Sequence, residues 1–348
     1  MNFVMNFLRE NWHRLPVQQL GDAERLSCVV ATPRFKASRH IIFFIMAGDG
    51  ADPILVAKVP RCSGDNSRLD LEVANLNVVQ SARAGGFPSI PRVIAYEDYE
   101  KDRLLIETML VGRPMNRTVA RWRSESCIEI VTDWLIELQA STMIPNAEDG
   151  AWFERLVEQP LSHIRNLLSL SLQEEHLLDR TVKLANPLRF RDLPLVFEHG
   201  DLSHPNVLLF EKGGPGVVDW ELAEPRGLPA TDFFFFLSYI AFAKARAAKN
   251  ADYVSAFHKA FFGPHAWARP YIDNYVKQLP LPSDVLPALF VLTWARYVHG
   301  LMKRLHDPDG LEPLKKFDEE AASWLRSNRY YDLWRHTIEH VQELNLLH

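Results

Sequence analysis

The sequence contains few cysteines and no apolar segment long enough to cross a membrane. Its 348 residues include three cysteines, Cys28, Cys62 and Cys127, which form no C-x-x-C pair. This spacing argues against a disulfide framework or a structural zinc site, so we expect a reducing, cytoplasmic environment. The strongest apolar run, residues 233–243, is shorter than the about 20 residues that a membrane span needs. We therefore predict a buried core helix there and no membrane partner.

An excess of basic residues is also absent. The chain has 39 lysines and arginines against 44 acidic residues, which gives a formal net charge of −5. Proteins that bind nucleic acids usually carry a basic excess or a basic block, so we predict no nucleic-acid partner. Residues 1–9 lack a basic start and a continuous apolar core, and we expect no signal peptide. At roughly 100–200 residues per domain, the length indicates two domains or one large bilobal unit.

The first third has the pattern of a small sheet with one helix. Two runs rich in β-branched and aromatic residues flank a turn that contains glycine, which predicts an antiparallel hairpin. A helical spacing of apolar residues follows, and then two further strand-like runs. The predicted elements are strands at residues 40–46 and 54–59, a helix at 68–83, and strands at 92–96 and 103–109.

Helical patterns dominate the remaining two thirds, with an interruption near the middle. Periodic apolar positions predict helices after Ser124, over residues 161–184, 251–262 and 285–305, and in the stretch that contains Trp324 and Trp334. The interruption contains three short strand patterns, at residues 195–197, 207–210 and 217–218. The sequence therefore predicts an α+β fold, with a small antiparallel sheet followed by a larger, mainly helical part.

The side chains with catalytic potential lie in this central interruption. Asp201 and Asn206 lie on one loop, and Asp219 follows the next hairpin. Asp201 can accept or orient a hydroxyl proton, whereas the amide oxygen of Asn206 and the carboxylate of Asp219 suit a hard divalent cation. Magnesium prefers a few protein oxygens together with phosphate oxygens, which this set supplies. The spacing matches the catalytic-loop pattern H-x-D-x-x-x-x-N followed by a metal-binding aspartate.

The motif resembles that of the aminoglycoside phosphotransferase and choline kinase-like family, a branch of the protein kinase-like fold. This family carries H-G-D-x-x-x-x-N where protein kinases carry H-R-D, and the chain has His199-Gly-Asp201 through Asn206, then Asp219-Trp-Glu221. The resemblance spans about residues 30 to 240. It implies two lobes around one cleft: an N-terminal nucleotide-binding lobe, residues 1–109, and a C-terminal catalytic and acceptor-binding lobe, residues 110–348.

The first third agrees with this resemblance. Lys58 lies on a strand in the sequence Val-Ala-Lys, where a kinase places the lysine that pairs the α- and β-phosphates, and Glu72 on the next helix is the best candidate to orient it. The segment from Glu107 through Met109 resembles the hinge whose backbone meets the adenine edge. The expected phosphate loop contains no glycine, and Ser38 is its candidate hydrogen-bond donor to a phosphate.

The resemblance implies a phosphotransferase that moves the γ-phosphate of ATP or GTP, with Mg²⁺, to a hydroxyl of a small molecule. The acceptor would be an aminoglycoside, a sugar or an amino alcohol, and Asp201 would take the proton of its hydroxyl. Glu221 and Glu224 would suit a cationic acceptor, whereas Arg296 and His299 would suit an anionic or sugar acceptor. The sequence leaves the oligomeric state open.

Two other functions remain open at this point. A nucleotide-binding pseudokinase with a regulatory or scaffolding role is supported by the unusual phosphate loop, although the intact Lys58, Asp201, Asn206 and Asp219 argue against it. A protein kinase is disfavoured because the chain has H-G-D and no obvious A-P-E segment.

Individual side chains also have simpler structural explanations. Lys58 could lie on a solvated edge strand, and Glu72 could be a surface residue with Asp70 as its competitor. His199 is better explained as a residue that anchors the loop by hydrogen bonds, and Asp232 as a helix cap or a brace for the catalytic loop.

Overall fold

In the computed structural model, the chain divides into two units. One unit comprises Met1–Gly112 with Gly216–Leu222, and the other comprises Arg113–Pro215 with Ala223–His348. The structure describes residues 3–32, 40–48, 50, 52–145, 151–279, 281–306 and 316–346. Ser38, the candidate hydrogen-bond donor to a phosphate, and its glycine-free turn lie outside the described residues.

The first unit contains a five-stranded antiparallel sheet. Its strands have the spatial order β1-β2-β3-β5-β4. All four strands and the helix that the sequence patterns predict are present, in the predicted order. The elements are α1 (Phe3–Asn11), β1 (Leu26–Ala31), β2 (His40–Ala47), β3 (Pro53–Pro60), α2 (Ser67–Ser81), β4 (Val93–Tyr99) and β5 (Asp102–Thr108).

The sequence patterns do not predict two elements of this unit. Strand β1 pairs with β2 at the edge of the sheet, and its Val29 and Val30 are more than half exposed, so it lacks the alternation of a half-buried strand. Helix α1 packs Phe7 and Leu8 into the core that the sheet forms with Ile106. The short apolar pattern of α1 therefore belongs to the domain core.

The second unit is mainly helical, with short strands between its helices. Strand β6 pairs with β8, and β7 pairs with β10, in both cases antiparallel. Strand β9 (Pro215–Val217) lies where the chain passes from the second unit to the first. The remaining elements are β6 (Arg113–Pro114), α3 (Arg117–Trp122), α4 (Ser124–Thr142), α5 (Ala151–Phe153), α6 (Gln159–Leu167), α7 (Leu172–Ala185), β7 (Val196–Glu198), β8 (Val207–Leu209), β10 (Glu224–Gly227), α8 (Thr231–Ala245), α9 (Asn250–Phe261), α10 (Arg269–Gln278), α11 (Leu286–His306), α12 (Glu319–Arg326) and α13 (Arg329–Glu339).

The single helix predicted over residues 161–184 is wrong, because the chain breaks between α6 and α7. Ser171 caps α7 through a reciprocal capping box with Glu174: each side chain bonds the backbone N–H of the other. Such a box satisfies amide groups that would otherwise lack partners at a helix start. The apolar periodicity runs through this break and hides it.

The most apolar helices are buried in the second unit. The predicted core helix is confirmed as α8, whose residues Phe233 through Phe236 are all buried. Among the described residues, one segment, Ser283–Leu305, is long and apolar enough to cross a membrane by length and composition alone. Because 78% of its most apolar window is buried inside the protein, as in a core helix, it is weak evidence for a membrane span.

Candidate active site

Lys58 lies at the centre of a buried charged group in the first unit. Its Nζ is 2.5 Å from Oε1 of Glu72 on α2 and 3.0 Å from Oε1 of Glu107 on β5. All three side chains are less than one-tenth exposed. Glu107 reaches Lys58 because it lies opposite Val56 in the β3–β5 register, and Val56 and Lys58 face the same side of the sheet. The predicted Lys58–Glu72 pair is therefore present.

The other sequence predictions around Lys58 are settled by its partners. Lys58 is not on a solvated edge, since β3 lies between β2 and β5. Asp70, the competing carboxylate, pairs with Arg103 instead. The sequence analysis assigned Glu107 through its backbone and missed the contact of its side chain with Lys58. Met109 follows β5 directly and is half-buried.

The electrostatics of this group follow from burial and from the excess of carboxylates. Burial lowers the pKa of Lys58, but Glu107, Glu72 and Asp219 together raise it above its usual value. Burial raises the pKa of Glu107 to about 7, against the opposing effect of Lys58. Of the described residues, none hydrogen-bonds the buried Oε2 atoms of Glu72 and Glu107. The lysine is thus a fixed cation among acceptor oxygens.

Asp219 belongs to the first unit through a turn that is fixed to α2. Its φ of 72° lies in the left-handed region, which costs a non-glycine residue of order 1 kcal/mol. The next residue, Trp220, compensates by anchoring the turn: its carbonyl accepts a 2.9 Å hydrogen bond from Asn75, and its amide donates to Oε1 of Glu72 at 3.4 Å. Asp219 is therefore linked to the Lys58–Glu72 pair in two ways: its charge acts on Lys58, and the backbone amide of the next residue bonds Glu72.

Glu221 lies two residues beyond Asp219, in the same unit. Its Oε2 is 3.7 Å from Nδ1 of His40. Burial raises the pKa of Glu221 to about 7, and the charge of Asp219 adds to this effect. The sequence analysis proposed Glu221 as an acceptor contact, and the structure places it with Lys58, Glu72 and Asp219.

In the second unit, Asp232 holds the loop that carries Asp201. The carboxylate of Asp232 accepts the backbone N–H groups of His199 at 2.6 Å and of Gly200 at 2.9 Å. Burial raises the pKa of Asp232 to about 8, and the neighbouring Glu198 adds to the shift. Of the two explanations that the sequence left open for Asp232, a helix cap or a brace for this loop, these bonds show the brace.

The Asp201 side chain is held at both carboxylate oxygens. Asn206 donates from Nδ2 to the Asp201 backbone oxygen at 3.0 Å and to Oδ2 at 3.3 Å. The hydroxyl of Tyr297 on α11 donates to Oδ1 at 3.3 Å. Arg304 lies over the Tyr297 ring at 5.4 Å. The sequence analysis missed Tyr297 and Arg304, although their spacing of seven residues places them on one helix face.

Three of the predicted acceptor contacts have other partners. Arg296 binds the carboxylate of Glu198 with distances of 3.0 and 3.1 Å. His299 Nε2 is 3.0 Å from Nδ1 of His163, and burial lowers its pKa to about 3, so its ring is neutral at pH 7. Glu224 pairs with Arg155 at 2.7 Å. In the structure, each of these three side chains is therefore bound to another residue of the second unit.

Asn206 in the second unit and Asp219 in the first unit each carry an oxygen donor of the kind that magnesium prefers. Asn206 uses Nδ2 for both of its bonds to Asp201, which leaves its amide oxygen on the opposite edge of the group as a ligand. Asp219 supplies a carboxylate. Among the described residues, no three His, Cys, Asp or Glu side chains are grouped so that they alone could hold a metal ion. Magnesium can be bound by one or two protein oxygens, because it keeps waters and takes phosphate oxygens.

Comparison with known proteins gives one family and one fold. A model of the phosphotransferase enzyme family matches residues 43–271, and no curated protein sequence matches the chain. Three solved structures illustrate the likeness. Plasmodium vivax ethanolamine kinase has a TM-score of 0.52 at 10% identity, over 94% of this chain and 85% of that chain. Choline kinase LicA from Streptococcus pneumoniae has 0.53 at 11%, over 97% and 100%.

The third structure is the aminoglycoside phosphotransferase APH(4)-Ia, with a TM-score of 0.53 at 13% identity, over 96% of this chain and 98% of that chain. At such low identity the likeness is one of fold. The fold is that of protein kinase-like enzymes, which confirms the α+β prediction.

Proposed function

Because the chain belongs to the phosphotransferase enzyme family, we propose that it transfers the γ-phosphate of ATP or GTP to a hydroxyl group of a small molecule. The observation that carries this proposal is the buried Lys58, held at 2.5 Å by Glu72 and influenced by the charge of Asp219. A lysine fixed in this way has lost the mobility of a surface side chain and can serve as a preformed partner for phosphate oxygens.

Each proposed role follows from the chemistry of one side chain. Lys58 binds the oxygens of the α- and β-phosphates, and Glu72 keeps its ammonium in place. The backbone around Glu107 and Met109 meets the adenine edge, and Ser38 donates to a phosphate. Together these groups bind and orient the nucleotide.

Two oxygen donors complete the proposed nucleotide site. Asn206 and Asp219 would hold Mg²⁺, which neutralises charge that develops on the phosphate oxygens.

Asp201 acts on the acceptor in this proposal. Its carboxylate accepts a hydrogen bond from the acceptor hydroxyl, orients its oxygen towards phosphorus and takes the proton late in the transfer. The transition state of phosphoryl transfer is loose, so positioning dominates the rate. The bonds from Asn206 and Tyr297 support this role because they fix the direction of the carboxylate.

The acceptor contacts remain predictions. Glu221, Glu224, Arg296 and His299 were chosen for charge, and the last three already bind partners inside the second unit. The cytoplasmic location, which follows from the sparse cysteines, is likewise part of the proposal.

A turnover assay with a matched variant tests this function. Purified protein and Asp201→Asn would be incubated with Mg·ATP or Mg·GTP and a panel of aminoglycosides, amino alcohols and sugars, and phosphorylated product would be measured. We expect the variant to keep the nucleotide-induced thermal shift and to lose turnover by about 10²–10⁴-fold. Full turnover by Asp201→Asn would exclude the proposed base. Nucleotide binding without any turnover by the wild type would favour a pseudokinase.

A further inference from the structure

Tyr297 connects Asp201 to a buried group of tyrosines and arginines in the second unit. Its hydroxyl lies 3.3 Å from Oδ1 of Asp201, and the guanidinium of Arg304 lies over its ring at 5.4 Å from the centroid. Burial raises the pKa of Tyr297 well above its usual value, and the nearby Tyr330 adds to this effect. The Tyr297 hydroxyl therefore keeps its proton at neutral pH.

The direction of the hydrogen bond between Tyr297 and Asp201 follows from the chemistry of the two groups and from the charge of Arg304. A guanidinium can only donate, and an ionised carboxylate can only accept. The tyrosine hydroxyl has one proton and can both accept and donate. Tyr297 therefore donates its proton to Asp201, and the positive charge of Arg304 near the Tyr297 hydroxyl favours this orientation. The Tyr297 hydroxyl, which could otherwise rotate, therefore has one preferred orientation.

The contact from Tyr297 complements the contact from Asn206. Asn206 lies five residues from Asp201 on the same loop and donates to Oδ2, whereas Tyr297 comes from α11 and donates to Oδ1. With one oxygen bound to the loop and the other to a packed helix, rotation of the carboxylate about χ2 breaks at least one bond. The two bonds together restrain the rotation more than either bond alone.

We propose that Tyr297, oriented by Arg304, is a positioning residue that holds the Asp201 carboxylate in the direction from which it receives the acceptor proton. This inference rests on the proposed function for the role of Asp201. Tyr297 acts through Asp201 and does not itself touch the reacting atoms. Loss of its hydroxyl should therefore lower kcat and leave the KM for Mg·ATP nearly unchanged.

The packing of Tyr297 allows the hydroxyl to be removed without disturbing the core. Its ring lies 4.7 Å from the ring of Phe235 and 4.3 Å from the ring of Tyr330, and phenylalanine keeps both contacts. Tyr330 offers a matched control because its hydroxyl bonds Tyr239 at 2.5 Å and Arg329 at 2.7 Å. Tyr330→Phe thus removes the same atom from a neighbouring ring and leaves the bond to Asp201 in place.

The test compares the full-length variants Tyr297→Phe, Tyr330→Phe, Arg304→Met and Tyr297→Phe/Arg304→Met. We expect Tyr297→Phe to lower kcat about tenfold, because a misdirected base loses productive geometry. Tyr330→Phe should lower the melting temperature and keep kcat within about twofold of the wild type, because it leaves the bond to Asp201 intact. The double variant should be no slower than Tyr297→Phe, because Arg304 acts through the same hydroxyl.

Crystal structures of the Tyr297 and Tyr330 variants separate this inference from the proposed function. Loss of the single Asp201 conformer in Tyr297→Phe, and its retention in Tyr330→Phe, would support the positioning role. An unchanged carboxylate, an unchanged kcat in Tyr297→Phe, or additive losses in the double variant would overturn it. If the wild type transfers phosphate to no acceptor, the proposed function fails, and the Asp201 conformer in the crystal structures then decides whether Tyr297 holds the carboxylate.

Discussion

Replacing Glu107 with glutamine should change how the stability of the first unit depends on pH. The Glu107 carboxylate is buried 3.0 Å from the Lys58 ammonium, and its pKa is raised from the ordinary 4.5 to about 7 because burial outweighs the attraction of the lysine. The folded unit therefore keeps a proton on Glu107 that the unfolded chain releases at lower pH.

The sign and size of the effect follow from this difference. A carboxyl whose pKa is higher in the folded state contributes stability that is complete below about pH 4.5 and is lost as the pH rises through about 7. At about 1.4 kcal/mol for each pH unit, this interval corresponds to about 3 kcal/mol. Glutamine does not titrate and has nearly the same size. The difference in unfolding free energy between Glu107→Gln and the wild type should therefore shift by about 2–3 kcal/mol in favour of the variant between pH 5 and pH 8.

Urea unfolding at several pH values between 5 and 8 measures this gain. Hydrogen exchange of the β3 and β5 peptides in the same samples would report the transition of the first unit by itself. Glu24→Gln provides the control, because Glu24 is an exposed glutamate of the same unit. Its unfolding free energy should follow that of the wild type at every pH. A Glu107→Gln difference that stays constant from pH 5 to 8 would refute the reasoning, since Glu107 would then not titrate in this range.

Four further substitutions give measurable changes in stability or turnover. Lys58→Met should lower the unfolding free energy by about 3–5 kcal/mol in urea, because it leaves buried carboxylates without their cation. Gly227→Ala should lower the melting temperature, because its added Cβ would lie 2.5 Å from Cβ of Glu198. Gly300→Ala should instead stabilise the protein by about 1 kcal/mol, because an added Cβ has open space there and alanine is the better helix former in α11. Asp232→Ala should lower kcat about tenfold in steady-state assays, because two catalytic-loop amides lose their acceptor.

The sequence predicted the elements around Lys58 but could not predict their complete contact. Runs of β-branched residues and a helical period place Lys58 on a strand and Glu72 on the next helix, so their pairing follows from local order. The contact with Glu107 depends on Val56 lying opposite Glu107 in the β3–β5 pairing. This register joins strands separated by a helix and another strand, and no local pattern determines it.

The missed elements have equally specific causes. β1 is an edge strand whose Val29 and Val30 are exposed, so its pattern lacks the contrast between two faces. The break between α6 and α7 depends on the capping box of Ser171 and Glu174. In the sequence, this signal competes with apolar periodicity that runs through it, and the periodicity favoured one long helix.

The surroundings of Asp201 show why charge alone does not identify every contact that a helix makes. Arg296 and Tyr297 are consecutive residues of α11, so their side chains point about 100° apart around its axis. Arg296 reaches Glu198, whereas Tyr297 reaches Asp201. The sequence analysis selected Arg296 because it is charged. The rotation of the packed helix decides which residue meets the Asp201 carboxylate, and there the uncharged hydroxyl of Tyr297 supplies the hydrogen bond.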